Sequence, residues 1–197
     1  MIKVIAVDFG GVYFTWNRDK FRRDVSKTLG VDFETVKKAH SLKIRDLHIQ
    51  KVTEKEYWDS FCQVMGKNVN HNLLKKITLK QFKPKKPVID LIKNLRKRYR
   101  IVLLSNHTIW LDELDRKYGV YRNFDLVLSS HIVKVQKPDR EIYELLIKKT
   151  KAKPQEIIFI EDTEENIEAA GKVGINTILF RNVRQLRREL ASYGVEV

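Results

Sequence analysis

The stretch IIFIEDTEENIEAAGKVG, residues 157–174, carries the main architectural signal of this 197-residue chain. Residues 157–160 are all apolar and rich in β-branched side chains, as a parallel strand covered on both faces should be. Glu161, Asp162 and Thr163 follow at its carboxyl end. Residues 164–173 then have helical periodicity and run into Gly174. Strand, acidic turn and helix in that order form half of a βαβ unit.

Working outward, residues 2–7, 101–104, 126–128 and 175–180 are further short apolar runs. Between them, residues 111–118 end at Gly119, a plausible helix C-cap. Residues 140–149 place Ile142, Leu145, Leu146 and Lys149 at helical spacing. Strand alternating with helix predicts an α/β fold with a doubly wound, Rossmann-like parallel sheet. One connection breaks the rhythm. More than ninety residues separate the first two strands, where a simple crossover needs about a dozen. Within them, residues 18–29, 33–48, 57–65 and 73–79 read as helices, and Thr53-Glu54-Lys55-Glu56 fits a capping box. Phe82-Lys83-Pro84-Lys85-Lys86-Pro87 returns the chain to the core, leading into a helix over 87–98. The expected organisation is an α/β core from residues 1–14 and 87–197 with a helical cap inserted over 15–86.

Composition narrows the class. No apolar run approaches the ~20 residues that span a bilayer, and Cys62 is the only cysteine, which excludes an internal disulfide or a zinc-finger spacing. A cytoplasmic protein is the simplest expectation. Net charge is +14, of which residues 15–86 hold +10. An excess of that kind attracts an anionic partner, a phosphorylated substrate or RNA, or else it is a solvated helical surface. The lysines and arginines are spread along helices, which favours the second reading for most of them. No RNA-recognition motif or aromatic stacking pattern accompanies them, so nucleic acid is a secondary expectation. Trp16, Trp58 and Trp110 read as packing residues, with Trp16 near the hinge into the inserted helices.

Ligand sites in open α/β sheets form at the carboxyl ends of strands. Asp8-Phe9-Gly10-Gly11 follow the first strand and Ser105-Asn106-His107 the second. Lys137-Pro138 come after the third, and Glu161-Asp162 after the fourth. A carboxylate, a hydroxyl with an amide, a lysine and an acidic pair suit magnesium-assisted phosphoryl transfer. No one of them is specific; the four together, in this order, are.

These residues resemble the motifs of the haloacid dehalogenase-like superfamily, in the branch with a helical cap after the first strand. Asp8-Phe9-Gly10-Gly11-Val12, Leu104-Ser105-Asn106, Lys137-Pro138-Asp139 with Ile142-Tyr143, and Phe159-Ile160-Glu161-Asp162 match in turn, over essentially the whole chain. The resemblance implies a Mg²⁺-dependent phosphatase acting on a small phosphorylated metabolite. It makes Asp8 the nucleophile and a metal ligand, with the Gly10 carbonyl, Asp162 and Glu161 completing the metal set. Ser105, Lys137 and the main-chain amides at Gly10 and Gly11 would hold the phosphoryl group, with Asn106 and His107 beside it. A 2-haloacid dehalogenase, which needs no metal, is the less favoured member class because Glu161-Asp162 is retained.

One position departs from the common phosphatase pattern. Gly10 stands where a second aspartate usually protonates the leaving group and activates water, a role worth about 10²–10⁴-fold. Three explanations are open. The substrate has a good leaving group, as in the sugar-1-phosphatase-like members that share Asp-x-Gly-x-Val. Another group, with His107 the first candidate, supplies the proton. Or the protein is catalytically weak and binds an anionic partner.

Overall fold

In the computed structural model, which describes residues 1–197, the first strand lies at the centre of one parallel sheet. The strands are β1 (Val4–Val7), β2 (Arg100–Ser105), β3 (Leu126–Ser129), β4 (Ile157–Glu161) and β5 (Asn176–Leu179), in the order β3-β2-β1-β4-β5. Val4 to Val7 pair with Arg100 to Leu103 on one side and with Ile157 to Ile160 on the other. The apolar runs have a direct cause. Ile5, Val7, Ile101, Leu103, Ile158 and Ile160 point into one core, while Val4, Ala6, Val102, Leu104, Ile157 and Phe159 point into the core on the opposite face. Both faces are covered, so neither set of alternate positions is polar.

Ten helices complete the chain: α1 (Arg18–Leu29), α2 (Phe33–His48), α3 (Glu54–Met65), α4 (His71–Leu79), α5 (Lys86–Leu95), α6 (Trp110–Tyr118), α7 (Ser130–Val133), α8 (Arg140–Thr150), α9 (Glu164–Lys172) and α10 (Val183–Ser192). Helices α5, α6 and α10 cover one face of the sheet through Leu91, Leu111 and Leu186, among others. Helices α8 and α9 cover the other through Tyr143, Leu146 and Ala170. The short α7 and the C-terminal α10 are additions to the sequence reading. The latter carries a capping box between Asn182 and Gln185 and buries Leu186 and Leu190, one turn apart. Helix α3 opens at Glu54, where the Thr53–Glu56 capping box puts it, three residues earlier than periodicity alone indicated.

Helices α1 to α4 form a body inserted between β1 and α5, with a core of its own built on Phe21, Val36, Tyr57, Trp58, Phe61 and Leu74. Trp110, at the start of α6, enters that core and stacks on Trp58 with ring centroids 5.4 Å apart. An aromatic pair of this kind contributes about 0.5–1.5 kcal/mol beyond its buried area, and here it joins the inserted helices to the sheet domain. The two connecting segments run side by side: Thr15 N–H donates to the Lys83 carbonyl at 2.8 Å, and Lys85 N–H to that of Tyr13 at 3.1 Å. Some lysines of this region pair with acids along the helix surfaces, Lys20 with Asp24, Lys37 with Glu34 and Lys55 with Asp59. No helix is long and apolar enough to cross a membrane.

Candidate active site

The strand order reverses on either side of β1, which leaves a crevice at the carboxyl ends of β1, β2 and β4. A cleft of about 750 Å³ opens there, between the sheet and helices α1 to α3. Asp8, one residue beyond β1, is held by its amide N–H donating to the Ile160 carbonyl at 2.9 Å. Glu161 ends β4. Lys137 arrives from the segment between α7 and α8, and its side chain is 99% buried. Its Nζ donates to Asp8 Oδ1 at 2.6 Å and to Glu161 Oε2 at 2.5 Å.

The Lys137 main chain is clamped by Asn106. The Asn106 Nδ2 donates to the Lys137 carbonyl at 2.7 Å, and the Lys137 N–H donates to Asn106 Oδ1 at 2.8 Å. Asn106 therefore fixes the lysine that the sequence reading put beside it. Glu161 is equally constrained. Its Oε1 accepts the amides of Asp162 and Thr163 at 2.9 and 3.1 Å, and its Oε2 accepts Asn166 Nδ2 at 3.0 Å beside Lys137. Asn166 lies in the 157–174 stretch that carries the resemblance, but the sequence reading gave it no role in the site. Asp162 is the more open carboxylate.

Three carboxylates and one ammonium leave two negative charges in excess when all are ionised. Burial and the neighbouring Glu161 push the Asp8 carboxyl up to about 8, against the pull of Lys137. Desolvation and the adjacent Glu161 raise Asp162 to about 6. Burial works against Glu161 too, but the Lys137 ammonium and the amide donors hold it below the usual carboxylate range. Burial disfavours the Lys137 ammonium, and its two carboxylate partners more than compensate, so it stays charged. Oxygens of Asp8, Glu161 and Asp162 lie within 4.8 Å of one another, the donor set of a hard divalent cation.

The other expected residues divide. Gly10 and His107 line the cleft with Asp8, Asn106 and Lys137; Ser105 and Gly11 do not. Ser105 is buried at the end of β2. For Gly11 the expected use of its amide is corrected: that N–H donates to the Phe14 carbonyl at 2.7 Å. The residue must still be glycine. Its φ is +96°, and a Cβ there would sit 1.8 Å from Asp162 Oδ2. Gly10 has no such φ, and a Cβ would meet Trp16 Cβ at 3.3 Å. Trp16 in turn stacks on Phe82, centroids 4.7 Å apart and the rings nearly parallel. The space of the missing acid is thus bordered by an aromatic stack. His107 does not fit the proton-donor role. It is packed edge-on against Phe9, its Nε2 is buried without a partner, and burial pushes its pKa down to about 3. Burial therefore favours its neutral form.

A family model for haloacid dehalogenase-like hydrolases matches residues 2–174. The chain belongs to that family. Among curated haloacid dehalogenase-like relatives, a D-ribitol-5-phosphate phosphatase of Bacteroides thetaiotaomicron is 28% identical over 96% of this chain and 97% of its own length. The bifunctional epoxide hydrolase 2 of mouse is 31% identical over 48% of this chain, which spans only about a fifth (18%) of that larger protein. A crystal structure of a haloacid dehalogenase-like enzyme from B. thetaiotaomicron, in complex with magnesium and inorganic phosphate, superposes with a TM-score of 0.79. It is 25% identical and is covered to 95%, against 92% of this chain. The expected family and fold are therefore both established.

Proposed function

We propose that the protein is a Mg²⁺-dependent phosphatase acting on a small phosphorylated metabolite through an aspartyl-phosphate on Asp8. The observation that carries this reading is the acidic cluster at the strand ends: three carboxylates meet around one buried ammonium, and when ionised they leave a negative excess that a divalent cation would balance. The similarity over nearly full length to a D-ribitol-5-phosphate phosphatase supports it.

In this reading Lys137 holds Asp8 Oδ1 and so aims the other carboxylate oxygen at phosphorus. The Asp8 oxygen–phosphorus bond forms as the bond to the leaving alcohol breaks, and water later cleaves the acyl phosphate. Lys137 and the amide of Gly10 bind the phosphoryl oxygens. Asp8, Asp162 and the Gly10 carbonyl would hold Mg²⁺, with Glu161 the least available ligand because both its oxygens already accept hydrogen bonds. When bound, the ion supplies charge neutralisation and polarisation of the phosphoryl group. Helices α1 to α4 act as a cap that excludes water and shapes substrate choice. With Gly10 in place of the acid and His107 neutral, this chain supplies no evident proton donor for the leaving group. Substrates with acidic leaving alcohols are favoured accordingly.

The test is phosphate release with and without Mg²⁺, using Asp8→Asn as the control. Mg²⁺-dependent turnover that Asp8→Asn abolishes supports the reading. Equal rates for parent and variant, or full activity in a chelator, would overturn it.

A further inference from the structure

The wall of the cleft that faces the sheet is cationic. Arg18 and Arg22 on α1 and Arg45 on α2 line it, together with His40 and His48. Arg22 is the unusual member. Its side chain is 91% buried. Its Nη1 donates to Asp19 at 3.0 Å, and its Nη2 reaches Ser41 Oγ at 3.2 Å and His40 Nδ1 at 3.4 Å. Its Nε–H is buried with no partner. A guanidinium this buried normally has its donors satisfied. Its one counter-charge, Asp19, is more than half exposed, which weakens the pair. Arg18 has no carboxylate partner, whereas its neighbours Arg22 and Lys20 each have one. Arg45 shares Asp139, in an exposed pair.

The histidines add no charge. Burial first, and then Arg22 and Arg18, push His40 down to about 3; burial, Arg18, Arg45 and Lys137 bring His48 to about 4. The arginines and Lys137 thus act on the same small space. The cleft is bipolar. Asp8, Glu161 and Asp162 stand at the sheet end, with Glu165 beside them, and three arginines against Asp19 stand at the helical end. A phosphate monoester of a neutral polyol would satisfy the sheet end alone and leave Arg18 without a counter-charge and the Arg22 Nε–H without an acceptor.

Building on the phosphatase reading, we propose that the substrate carries a second anionic group, a carboxylate or phosphoryl, that sits on Arg22 and Arg18 while its scissile phosphate lies at Asp8. Guanidinium groups suit either anion because their fork of donors matches two oxygens.

Two matched pairs test this: 3-phosphoglycerate against glycerol 3-phosphate, and fructose 1,6-bisphosphate against fructose 6-phosphate. Turnover is measured on the parent, and equilibrium binding by calorimetry on the Asp8→Asn protein with Mg²⁺. The more anionic member of at least one pair should be preferred by about tenfold or more, the scale of one charge-assisted hydrogen bond. The pair that responds tells carboxylate from phosphoryl. Arg22→Met should bring that ratio towards one. Because Arg22 is buried, Arg18→Gln, at an exposed position, is the second variant, and it should lower the ratio as well. A ratio near one for both pairs in the parent, or a ratio that both folded variants retain, overturns the proposal. If no ester is turned over but the more anionic ligands still bind preferentially and lose that preference in the arginine variants, the anion seat stands and the phosphatase reading fails.

Discussion

Gly11→Ala should disable the metal site while Gly10→Ala, one residue away, should not. The difference is worked from two features of the β1 turn. Gly11 has φ +96°, a conformation that costs an L-residue about 1–2 kcal/mol. Its new methyl would also lie 1.8 Å from Asp162 Oδ2, where ordinary contact begins at 3.4 Å, so that oxygen must retreat by about 1.6 Å. Asp162 is the open carboxylate of the cluster, and displacing a group that orients a metal ligand typically costs about 10–100-fold in affinity. The backbone term alone should lower the melting temperature by about 2–8 °C for a domain of this size. Gly10→Ala meets only the Trp16 side chain, its Cβ nearest at 3.3 Å, at an unstrained φ. It should stay within about 1 kcal/mol of the parent. Thermal melting and calorimetric Mg²⁺ titration of both variants read the two effects separately. Mg²⁺ affinity unchanged in Gly11→Ala, or lost equally in both, would refute the assignment of Asp162 and of the turn that packs against it.

Three further outcomes follow from the same geometry. Gly10→Asp restores the missing acid, so it should raise turnover of esters with poor leaving groups more than of aryl phosphates, by up to about 10²-fold; a uniform loss would show that the Trp16–Phe82 stack, not the proton, limits this position. Asn106→Ala removes both hydrogen bonds to the Lys137 main chain, and should cost about 1–3 kcal/mol in urea unfolding and lower kcat, whereas unchanged kcat would show that Lys137 is held without the clamp. His40 is buried neutral with a pKa near 3, below its unfolded value, so it binds fewer protons folded than unfolded and its stabilisation fades as pH falls from about 6.5 towards 3. Relative to the parent, His40→Gln should therefore flatten the pH dependence of unfolding free energy over this window by about 1.4 kcal/mol per pH unit, and parallel curves would contradict that burial.

Much of this molecule is legible in the chain because its chemistry sits where the sequence itself marks a boundary. Each of Asp8, Lys137 and Glu161 follows or ends a short apolar strand or precedes a helix, and parallel topology brings such ends together without further information. The inserted helices were equally readable, since ninety residues cannot be one crossover. What the sequence withheld depends on return contacts. The Gly11 amide is engaged because Phe14 turns back onto it, and no local pattern reports that. The cationic wall was hidden for a related reason. Arg18, Arg22 and Arg45 are three members of a large basic excess, and only the packing of α1 and α2 over the sheet selects them from lysines that simply face solvent. Asn106 was expected beside the site, but its hold on Lys137 joins residues 31 apart.

The central claim is that Asp8 carries the phosphoryl group between its two transfers. The most direct measurement is acid quench of the Mg²⁺-loaded protein during turnover, borohydride reduction of any acyl phosphate, and mass spectrometry of the peptide containing residue 8. Reductive modification at Asp8, present with Mg²⁺ and substrate and lost in chelator, is the predicted result. Sustained phosphate release with Asp8 never modified, or with the label on another carboxylate, would contradict the account.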